Sequence, residues 1–508
     1  MPRRCFALWS LACQDCLVWL LLMRNRGASL WTARGLARMP PARLQSKDSP
    51  APRTAVCSAM TLFDQSTRRA EIRETLTLAW PMALTQLGQI AMLTTDVVMI
   101  GRLGEKQMGA AALAHAILFS AFVLGMGLVS AVAPLAAQAF GRGDDAGVRA
   151  AVRVGLWATL LVGAPLTAVQ FWGYELLVLA GQAPDTAVLA ARYLDGLAWS
   201  VAPGWAFIAL RGFMGAVNRP QPALWIMVAA VPANALLAYG LIYGAFGLPN
   251  LDMLGAGVAT TIVNIVMLIA CFYVAYTQEP FRKYNILSGF WIWDWPLLRK
   301  LLWIGAPISA AFFIEYGLFS AASLLMGVIG AAELAAHQVA LQTATILFMG
   351  PFGLSMAATV RVGHAIGRGD LPAARRAGFS AFVIGFVFML GMTAVIASAR
   401  HVIPHAFLGG QTSPETIAMA ASLLLVGTSF FVFDGVQTVA SGALRGMSDT
   451  RVPLLFAAFS FWIVGFAAAY GLGITAGFGG PGVWMGLTLG LVTFSILLVW
   501  RFERLTRG

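Results

Sequence analysis

Most of this chain is divided into long apolar runs, which indicate that it folds in a lipid bilayer. About 20 consecutive apolar residues make an α-helix that crosses a lipid bilayer, whereas transmembrane β-strands alternate apolar and polar residues over about ten positions. With 59% hydrophobic and 11% charged residues, the chain is too apolar for a soluble protein. We therefore predict an all-α integral membrane protein with twelve transmembrane helices, near residues 77–101, 113–140, 149–171, 187–211, 221–246, 254–277, 297–327, 333–360, 374–398, 415–443, 452–473 and 480–500.

The basic residues follow the same division. A soluble protein with a net charge of +12 would suggest a nucleic-acid partner, but here Lys and Arg gather in every second loop, and loops such as GLPNLD and GFGGPG have none. This is the positive-inside pattern of membrane proteins. It predicts that both termini of the helical bundle lie in the cytoplasm. The bundle is surrounded by lipid, and we expect no nucleic-acid partner. The basic positions are Arg68, Arg69 and Arg73 before the first helix, Arg142 and Arg149 after the second, Arg211 and Arg219 after the fourth, Arg282, Lys283, Arg299 and Lys300 after the sixth, Arg361, Arg368, Arg375 and Arg376 after the eighth, Arg445 and Arg451 after the tenth, and Arg501, Arg504 and Arg507 at the end.

Residues 1–65 do not follow the pattern of the rest. They are rich in Arg, Pro and Ser, and Gln14 and Asp15 interrupt their one apolar patch, FALWSLACQDCLVWLLLM. Three interpretations are open: a targeting segment, an extra membrane anchor, or translation from a start codon assigned too early. The last is favoured, because Met60 begins a compact lead-in to the first helix, MTLFDQSTRRAEIRETL. We expect no function in this extension. Four of the five cysteines lie in it, so we expect neither a disulfide framework nor a structural metal site.

An internal repeat covers the body of the chain. The sequence GRGD at 141–144 recurs at 367–370, an offset of 226, and LRG at 210–212 recurs at 444–446. Two six-helix halves in the same orientation, with a site between them, are a standard build of secondary transporters. We interpret the GRGD and LRG turns as elements of cytoplasmic loops rather than ligand sites. The predicted organisation is an extension at 1–65, an N-lobe at 66–277 with helices 1–6, a cytoplasmic linker at 278–296, a C-lobe at 297–500 with helices 7–12, and a cytoplasmic tail at 501–508.

Two carboxylates lie deep in the apolar blocks of the second half. Asp434 interrupts the tenth block, and Glu315 interrupts the seventh, in FFIEYGLFSAASLLM. An acid inside a spanning helix costs about 2.5–3.5 kcal/mol on insertion scales, so it is a functional-site candidate by default. The repeat does not duplicate these acids, because Glu315 aligns with Gln89 and Asp434 with Ser200. Two deep acids and almost no deep bases favour a cation pathway through the second half.

Other polar and aromatic residues share faces with these acids. Asp96 in the first helix lies seven residues from Gln89 and so on the same helix face, and Asn234 lies in the fifth helix. In the tenth helix, Gln437 follows Asp434 by one turn and adds an oxygen, and Phe430 precedes it by one turn and adds an aromatic wall. We take Gln89, Asn234, Phe430 and Gln437 as candidate cavity residues and Asp96 as a further candidate cation residue.

The acid pair has the chemistry of a coupling site. If Glu315 and Asp434 approach each other, repulsion and desolvation should keep a proton on at least one of them until a cation arrives. Their hard oxygens could bind Na⁺ as possible metal ligands, release a proton, or do both in competition with a cationic substrate. The sequence has no Walker motif and no dinucleotide fingerprint after a strand. We therefore expect no cofactor beyond the coupling ion, Na⁺ or H⁺, and no enzymatic activity.

Several of these motifs together resemble one transporter family. The repeated six-helix halves, the ALAH and AAHQ helix starts, the paired GRGD turns and the run FDGVQTVASGALRGMSDT resemble the multidrug and toxic compound extrusion (MATE) transporters over about residues 66–500. The carboxylate set resembles that of the NorM branch. The resemblance implies a multi-pass antiporter of the bacterial inner membrane that exports organic cations and amphipathic drugs in exchange for Na⁺ or H⁺ by alternating access.

The resemblance also assigns roles to residues. It implies that Glu315 and Asp434 form the C-lobe cation-binding pair, that Asp96 is the N-lobe acid, and that Asn234 is the family's fifth-helix Asn. Ala238 stands where the archaeal and DinF-like branch has Asp. This departure weakens an N-lobe proton switch of that kind and favours the C-lobe pair as the coupling site.

Alternatives to a drug exporter remain at this point. A lipid-linked precursor flippase of the wider superfamily would be expected to have a more basic central cavity, whereas the deep charges here are acidic. A membrane-embedded transferase would need a clustered Asp-rich or His-based site, and a passive channel would not accumulate substrate against a gradient. We expect a monomer. The choice between Na⁺ and H⁺, and the range of substrates, are open.

Overall fold

The computed structural model describes residues 53–408 and 413–507, which are helical nearly throughout. Leu62–Gly508 form one compact unit, and the predictions for the segment before residue 53 lie outside the described residues. Short 3₁₀ helices lie at Ala245–Gly247 and Arg282–Tyr284, and π-helices at Phe459–Phe466 and Gly471–Thr475. The α-helices are α1 Arg53–Gly101, α2 Glu105–Ser130, α3 Val132–Gly141, α4 Asp145–Gln170, α5 Gly173–Leu179, α6 Pro184–Ala198, α7 Val201–Ala216, α8 Gln221–Tyr243, α9 Asp252–Thr277, α10 Trp295–Ile329, α11 Ala331–Gly367, α12 Leu371–Ala399, α13 Val402–Leu408, α14 Pro414–Gly446, α15 Arg451–Ala458, α16 Ala467–Tyr470 and α17 Gly479–Thr506.

The described residues contain 11 helices that are long and apolar enough to cross a membrane. The all-helical membrane prediction is therefore confirmed, and 11 of the twelve predicted spans correspond to these helices. The remaining one, predicted at 187–211, is divided into α6 and α7, of 15 and 16 residues. Pro203 explains the division, since it has no N–H to donate to the Trp199 carbonyl. The Ser200 N–H and hydroxyl both turn back to the Leu197 carbonyl, at 2.8 and 2.6 Å.

The repeated GRGD sequences form equivalent helix caps. Asp144 accepts a hydrogen bond from the Gly147 N–H at 2.8 Å and begins α4, and Asp370 does the same with the Ala373 N–H at 2.8 Å and begins α12. A side-chain oxygen at this position satisfies a donor that the helix start leaves free. The glycine before each Asp has a φ of 71° or 74°, which glycine adopts without steric cost. In the structure, the GRGD sequences thus turn the chain and start the next helix.

The two halves pack together backbone to backbone at one end of the bundle. A Cβ on Gly141 would collide with the His364 carbonyl, and a Cβ on Gly367 would collide with the Gln138 carbonyl. These contacts are repeat equivalents, because 138 + 226 = 364 and 141 + 226 = 367. Only glycine permits so close an approach of two helices. Since both positions lie beside the GRGD turns, this is the end predicted to face the cytoplasm.

Polar contacts reinforce the same end. Gln138 Nε2 donates to the Gly446 carbonyl at 2.9 Å, and His364 Nε2 lies 2.7 Å from the Ala216 carbonyl. Arg361 of α11 reaches across to α1, where it lies 2.5 Å from a Glu71 carboxylate oxygen. Toward the opposite end, the two halves meet through the rings of Phe119 and Tyr316, with centroids 5.1 Å apart. Most of the polar contacts that join the halves thus lie on the predicted cytoplasmic side, and Ser309 of α10 adds one about midway, donating to the Leu124 carbonyl of α2 at 2.6 Å.

The segment between the halves packs along α4 of the first half. Trp157 Nε1 donates to the Phe290 carbonyl at 2.9 Å, and Arg149 Nε donates to the Tyr284 carbonyl at 2.6 Å. Trp157 also stacks on the Phe290 ring, and the neighbouring Trp291 is 82% exposed. Tryptophan is enriched where protein meets the membrane–water interface. The segment 278–296 therefore joins the halves along an aromatic surface rather than as a free tether.

Candidate functional site

The acid pair of the second half is joined by a single amide. Nε2 of Gln437 lies 3.1 Å from Oε1 of Glu315 and 3.1 Å from Oδ1 of Asp434. Glu315 comes from α10, and the other two come from one face of α14, three residues apart. Asp434 is 5% exposed and Gln437 is 3% exposed. The structure thus brings together three residues that the sequence placed on two distant helices.

The charge balance of this cluster is incomplete. One amide serves two carboxylates, and the guanidinium group of Arg445 acts on Glu315 through space without a hydrogen bond. No group of three or more His, Cys, Asp or Glu side chains is found among the described residues. Two ionised carboxylates that share one amide, with Asp434 buried and Glu315 half-buried, would repel each other. A shared proton or a bound cation removes that repulsion. The oxygens of Glu315 and Asp434 are hard donors, the type that alkali and alkaline-earth cations take.

An aromatic shell supports the acid pair from within the second half. Phe430 is 1% exposed and packs against Trp484, with ring centroids 5.0 Å apart. Trp484 Nε1 donates to Nδ1 of His337 at 3.1 Å, and the other ring nitrogen of His337 lies 3.1 Å from the Ser323 hydroxyl. Phe430 therefore lies in the packed interior one turn from Asp434 rather than at an open cavity wall. Both ring nitrogens of His337 are thus occupied by hydrogen bonds.

The first half has a separate polar cluster around one acid. Asp96 accepts hydrogen bonds from Asn234 Nδ2 at 2.6 Å and from the Thr260 hydroxyl at 2.8 Å. Asp96 is 2% exposed and Asn234 is fully buried. The rings of Tyr193 and His115 pack together nearby, 5.6 Å apart, and the Tyr193 hydroxyl has no hydrogen-bond partner among the described residues. Asp96 is thus satisfied by two neutral donors.

Gln89 does not join either cluster. It is half-buried on α1, and its side chain makes no hydrogen bond within the described part of the chain. Gln86, one turn earlier, is 7% exposed and accepts a hydrogen bond from Arg211. The repeat offset pointed to Gln89 because Gln89 aligns with Glu315, but alignment does not fix which side of a helix faces a partner. The position of Gln86 in the sequence, between Pro81 and Gln89, gave no reason to prefer it to Gln89 as a site residue.

Two arginines correct the sequence interpretation. Arg211 and Arg445 were placed in cytoplasmic loops, and the deep charges were taken to be almost entirely acidic. The loop placement is wrong, because α7 continues to Ala216 and α14 to Gly446, which puts both arginines within the last two turns of their helices. Both arginines line a cavity between the two halves. Hydropathy ended these helices at the arginines, although the apolar runs FIAL and FMGA around Arg211 allow the helix to continue.

The cavity draws its walls from both halves. Its lining is mainly apolar and includes Met82 and Met126 from the first half and Phe352 and Met356 from the second. Small hydroxyl side chains and the two guanidinium groups are the polar part of this lining. The cavity has a volume of about 60 Å³, well below the roughly 300 Å³ at which ligand pockets begin. Thr260, Gln86 and both arginines are residues of interest that the sequence interpretation missed.

Comparisons with known proteins agree with this architecture. The family model described as MatE matches the chain twice, over residues 81–240 and 307–470. The starts of the two matches differ by 307 − 81 = 226, which is the repeat offset. The internal repeat that the sequence predicted is therefore confirmed.

Curated relatives match nearly their whole length. A protein of Rhodopseudomonas palustris named "Probable multidrug resistance protein NorM" is 60% identical over 440 residues, which cover 86% of this chain and 93% of the relative. A Bradyrhizobium diazoefficiens protein of the same name is 53% identical, with 86% and 94% covered.

Solved structures share the fold at low sequence identity. The structure titled "Crystal structure of eukaryotic MATE transporter AtDTX14" matches with a TM-score of 0.76 at 22% identity, covering 87% of this chain and 98% of that one. One titled "Outward-facing conformation of a multidrug resistance MATE family transporter of the MOP superfamily" matches with a TM-score of 0.76 at 19% identity, covering 86% and 96%. At these identities the likeness concerns the fold alone.

Proposed function

Because the chain belongs to the MATE family of membrane transporters, we propose that it exports organic cations and other amphipathic drugs in exchange for Na⁺ or protons. It is a multi-pass membrane protein of the type found in bacterial inner membranes, and it is not an enzyme. The observation that carries the coupling proposal is a pair of carboxylates, Asp434 buried and Glu315 half-buried, that share one amide donor. Such a pair needs a proton or a cation.

The arrangement of the halves suggests where the pair acts in the transport cycle. The halves are joined by polar contacts on the predicted cytoplasmic side and by the rings of Phe119 and Tyr316 toward the other end, so we place the pair at the step in which the outer contact opens. Glu315 and Asp434 take up Na⁺ or a proton from outside, which weakens the site for a cationic drug and releases it. One acidic site cannot hold both cations at full strength, and this competition couples the two fluxes. Asp96, with Asn234, acts as the acid of the N-lobe.

Ethidium efflux tests the coupling directly. We would load drug-sensitive cells with ethidium and follow efflux with and without an imposed Na⁺ gradient at fixed pH, for the wild type and Asp434→Asn. Glu415→Gln is the matched control, since Glu415 is an exposed acid in the first turn of the same helix. We expect gradient-driven efflux that is lost in Asp434→Asn and kept in Glu415→Gln. Normal efflux by Asp434→Asn would refute the mechanism.

A lipid-linked precursor flippase is the second candidate, and one observation favours it. The cavity between the halves carries two guanidinium groups, Arg211 and Arg445, so the sequence argument against a basic cavity no longer holds. If neither a Na⁺ nor a pH gradient drives ethidium efflux, this candidate replaces the drug exporter. A monomeric state stays a prediction, and the mass of the detergent-solubilised protein measured by light scattering tests it.

A further inference from the structure

The first described turns of α1 carry charges of opposite sign on opposite faces. Glu71 and Glu74 both accept hydrogen bonds from Arg361 of α11, at 2.5 and 2.8 Å. Arg69 and Arg73 are exposed, and neither forms an ion pair or a side-chain hydrogen bond with a described residue. The acids of this segment thus join the two halves, whereas its bases point away from the protein.

A groove follows the face of α1 that carries these bases. It has a volume of about 430 Å³, against about 60 Å³ for the cavity between the halves. Residues three or four apart share a helix face, and the described residues that line the groove are spaced in this way: Arg69, Ile72, Arg73, Leu76, Thr77 and Trp80. The groove therefore runs from two cations at one end to an apolar surface at the other.

The length of the helix places this groove relative to the bilayer. The stretch Arg69–Gly101 has 33 residues, about 50 Å at 1.5 Å per residue, whereas the hydrocarbon core is about 30 Å thick. Its ends therefore extend into the headgroup layers. Arg73 lies at the end predicted to face the cytoplasm, where Arg361 joins the halves, and Trp80 lies about 10 Å deeper. Tryptophan is enriched at the membrane–water interface.

The order of side chains along the groove matches one phospholipid of the inner leaflet. Arg69 and Arg73 are roughly 6 Å apart along the helix, so both guanidinium groups can donate to the same phosphate. Ile72, Leu76 and Trp80 are 39, 46 and 49% exposed, and they continue in the direction that an acyl chain takes into the membrane. A headgroup that carries its own ammonium would be repelled by two guanidinium groups, so an anionic headgroup fits better.

The second half does not repeat this pair of arginines. At the offset of 226, Arg73 corresponds to Arg299, which is also exposed, but Arg69 corresponds to Trp295. Arg299 therefore has no arginine one turn earlier on its face of the helix. The paired arrangement belongs to α1, and Arg299 offers a matched comparison at the equivalent position of the other half.

We propose that Arg69 and Arg73 form a binding site for the headgroup of an anionic phospholipid, whose acyl chain lies along the apolar part of the groove. Basic residues at the cytoplasmic surface attract anionic lipids, and here the fold adds a groove for the chain. The bound lipid occupies the outer face of the same helical turns that Arg361 holds from inside the protein. The site makes no use of the acid pair, so it is independent of what the protein exports.

Photocrosslinking from inside the groove tests the site. Benzoylphenylalanine replaces Thr77, which is exposed and lines the groove, in the full-length protein. We would irradiate the protein in vesicles of equal parts dioleoyl phosphatidylglycerol and dioleoyl phosphatidylcholine, which share their acyl chains and differ in headgroup charge. Mass spectrometry of the labelled peptide gives the ratio of the two captured lipids. The variants in this background are Arg69→Gln, Arg73→Gln, both together, and Arg73→Lys, with Arg299→Gln as the control.

The expected result is a preference that depends on both arginines. The unsubstituted background captures phosphatidylglycerol over phosphatidylcholine by about twentyfold, each single Gln substitution lowers this ratio by about fivefold, and the double substitution brings it close to one. Arg73→Lys lowers it less than Arg73→Gln, because the charge stays and only the planar fork is lost. Arg299→Gln leaves the ratio unchanged. The total yield of captured lipid stays constant, which shows that the variants are folded and inserted.

Three results would overturn the proposal. A ratio near one in the unsubstituted background would show that the groove does not select headgroup charge. An equal fall in Arg299→Gln and Arg73→Gln would show a general attraction to positive charge instead of a site. Capture of a peptide in place of lipid would show that protein covers this face, and the sequence of that peptide would identify the segment or second copy responsible.

Discussion

The first and second halves share one fold but surround the acids of their polar clusters with different numbers of donors. In the first half, Asp96 is one carboxylate with two neutral donors, Asn234 and Thr260. In the second half, Glu315 and Asp434 are two carboxylates with one donor, Gln437. The repeat therefore preserved the scaffold and changed the charge balance of the site it holds.

The number of hydrogen-bond donors per carboxylate differs between the halves, and this difference favours cation binding in one of them. An acid surrounded by donors is stabilised by the protein itself. Two acids that share a donor stay unbalanced until a proton or metal ion arrives, so their free energy depends on the ion supply. We therefore propose that the second arrangement, and not the first, couples to an ion gradient.

Substitutions that neutralise the acids should give the largest difference between the two halves. Glu315→Gln and Asp434→Asn each remove half of the unbalanced pair, and we expect coupled ethidium efflux to fall by about tenfold or more, within the range of typical coupling energies. Asp96→Asn leaves that pair intact, so a smaller loss is expected. Initial efflux rates, normalised to the amount of protein in the membrane, measure the difference. A larger loss in Asp96→Asn than in Asp434→Asn would move the coupling site to the first half.

Sodium binding should depend on pH only through the second half. Protons compete with Na⁺ for the same carboxylates, so lowering the pH weakens Na⁺ binding and raising it strengthens binding, by up to about tenfold per pH unit for one competing proton. Calorimetric titration of the purified protein with NaCl at several pH values measures this. Asp434→Asn should abolish the pH-dependent binding, whereas Asp96→Asn should keep it. Binding that is independent of pH in the wild type would contradict competition at these acids.

The first half offers a comparison between a buried hydroxyl that donates a hydrogen bond, that of Thr260, and one that has no partner among the described residues, that of Tyr193. Thr260→Val removes a donor from buried Asp96, so we expect the free energy of unfolding to fall by about 1–3 kcal/mol. Tyr193→Phe removes a buried hydroxyl that has no partner among the described residues, so a change near zero is expected. Thermal unfolding in detergent measures both. A strongly destabilised Tyr193→Phe would reveal a partner for this hydroxyl and a wider network around Asp96.

The helix caps are where the halves should behave alike. Asp144→Ala and Asp370→Ala each remove an N-cap hydrogen bond of the same length, 2.8 Å. Loss of such a cap costs about 1 kcal/mol, so equal small shifts in Tm are expected. Ser substitutions at the two positions are the controls, since Ser also caps helices. Unequal shifts would show that one GRGD turn has a role beyond starting its helix.

Hydropathy and spacing predicted the membrane class, the repeat and the depth of Asp434 and Glu315. They did not predict the divided fourth helix, because a proline such as Pro203 is also tolerated inside unbroken spanning helices. They placed Arg211 and Arg445 in loops, because an arginine usually marks the end of an apolar run. The contact of each arginine with a residue more than a hundred positions away is a property of packing.

The close approach of Gly141 and Gly367 to the opposite half affects the rate at which the cytoplasmic face opens. Where large side chains interlock, separating two surfaces requires many rotamers to change together. At these glycines the two helices touch along bare backbone, so they can part without such rearrangement. The rate at which this face opens is then governed by a handful of polar bonds, chief among them the reach of Arg361 to Glu71. Turnover of the transporter becomes a matter of how often a few ionic contacts release, and cytoplasmic salt is expected to quicken it.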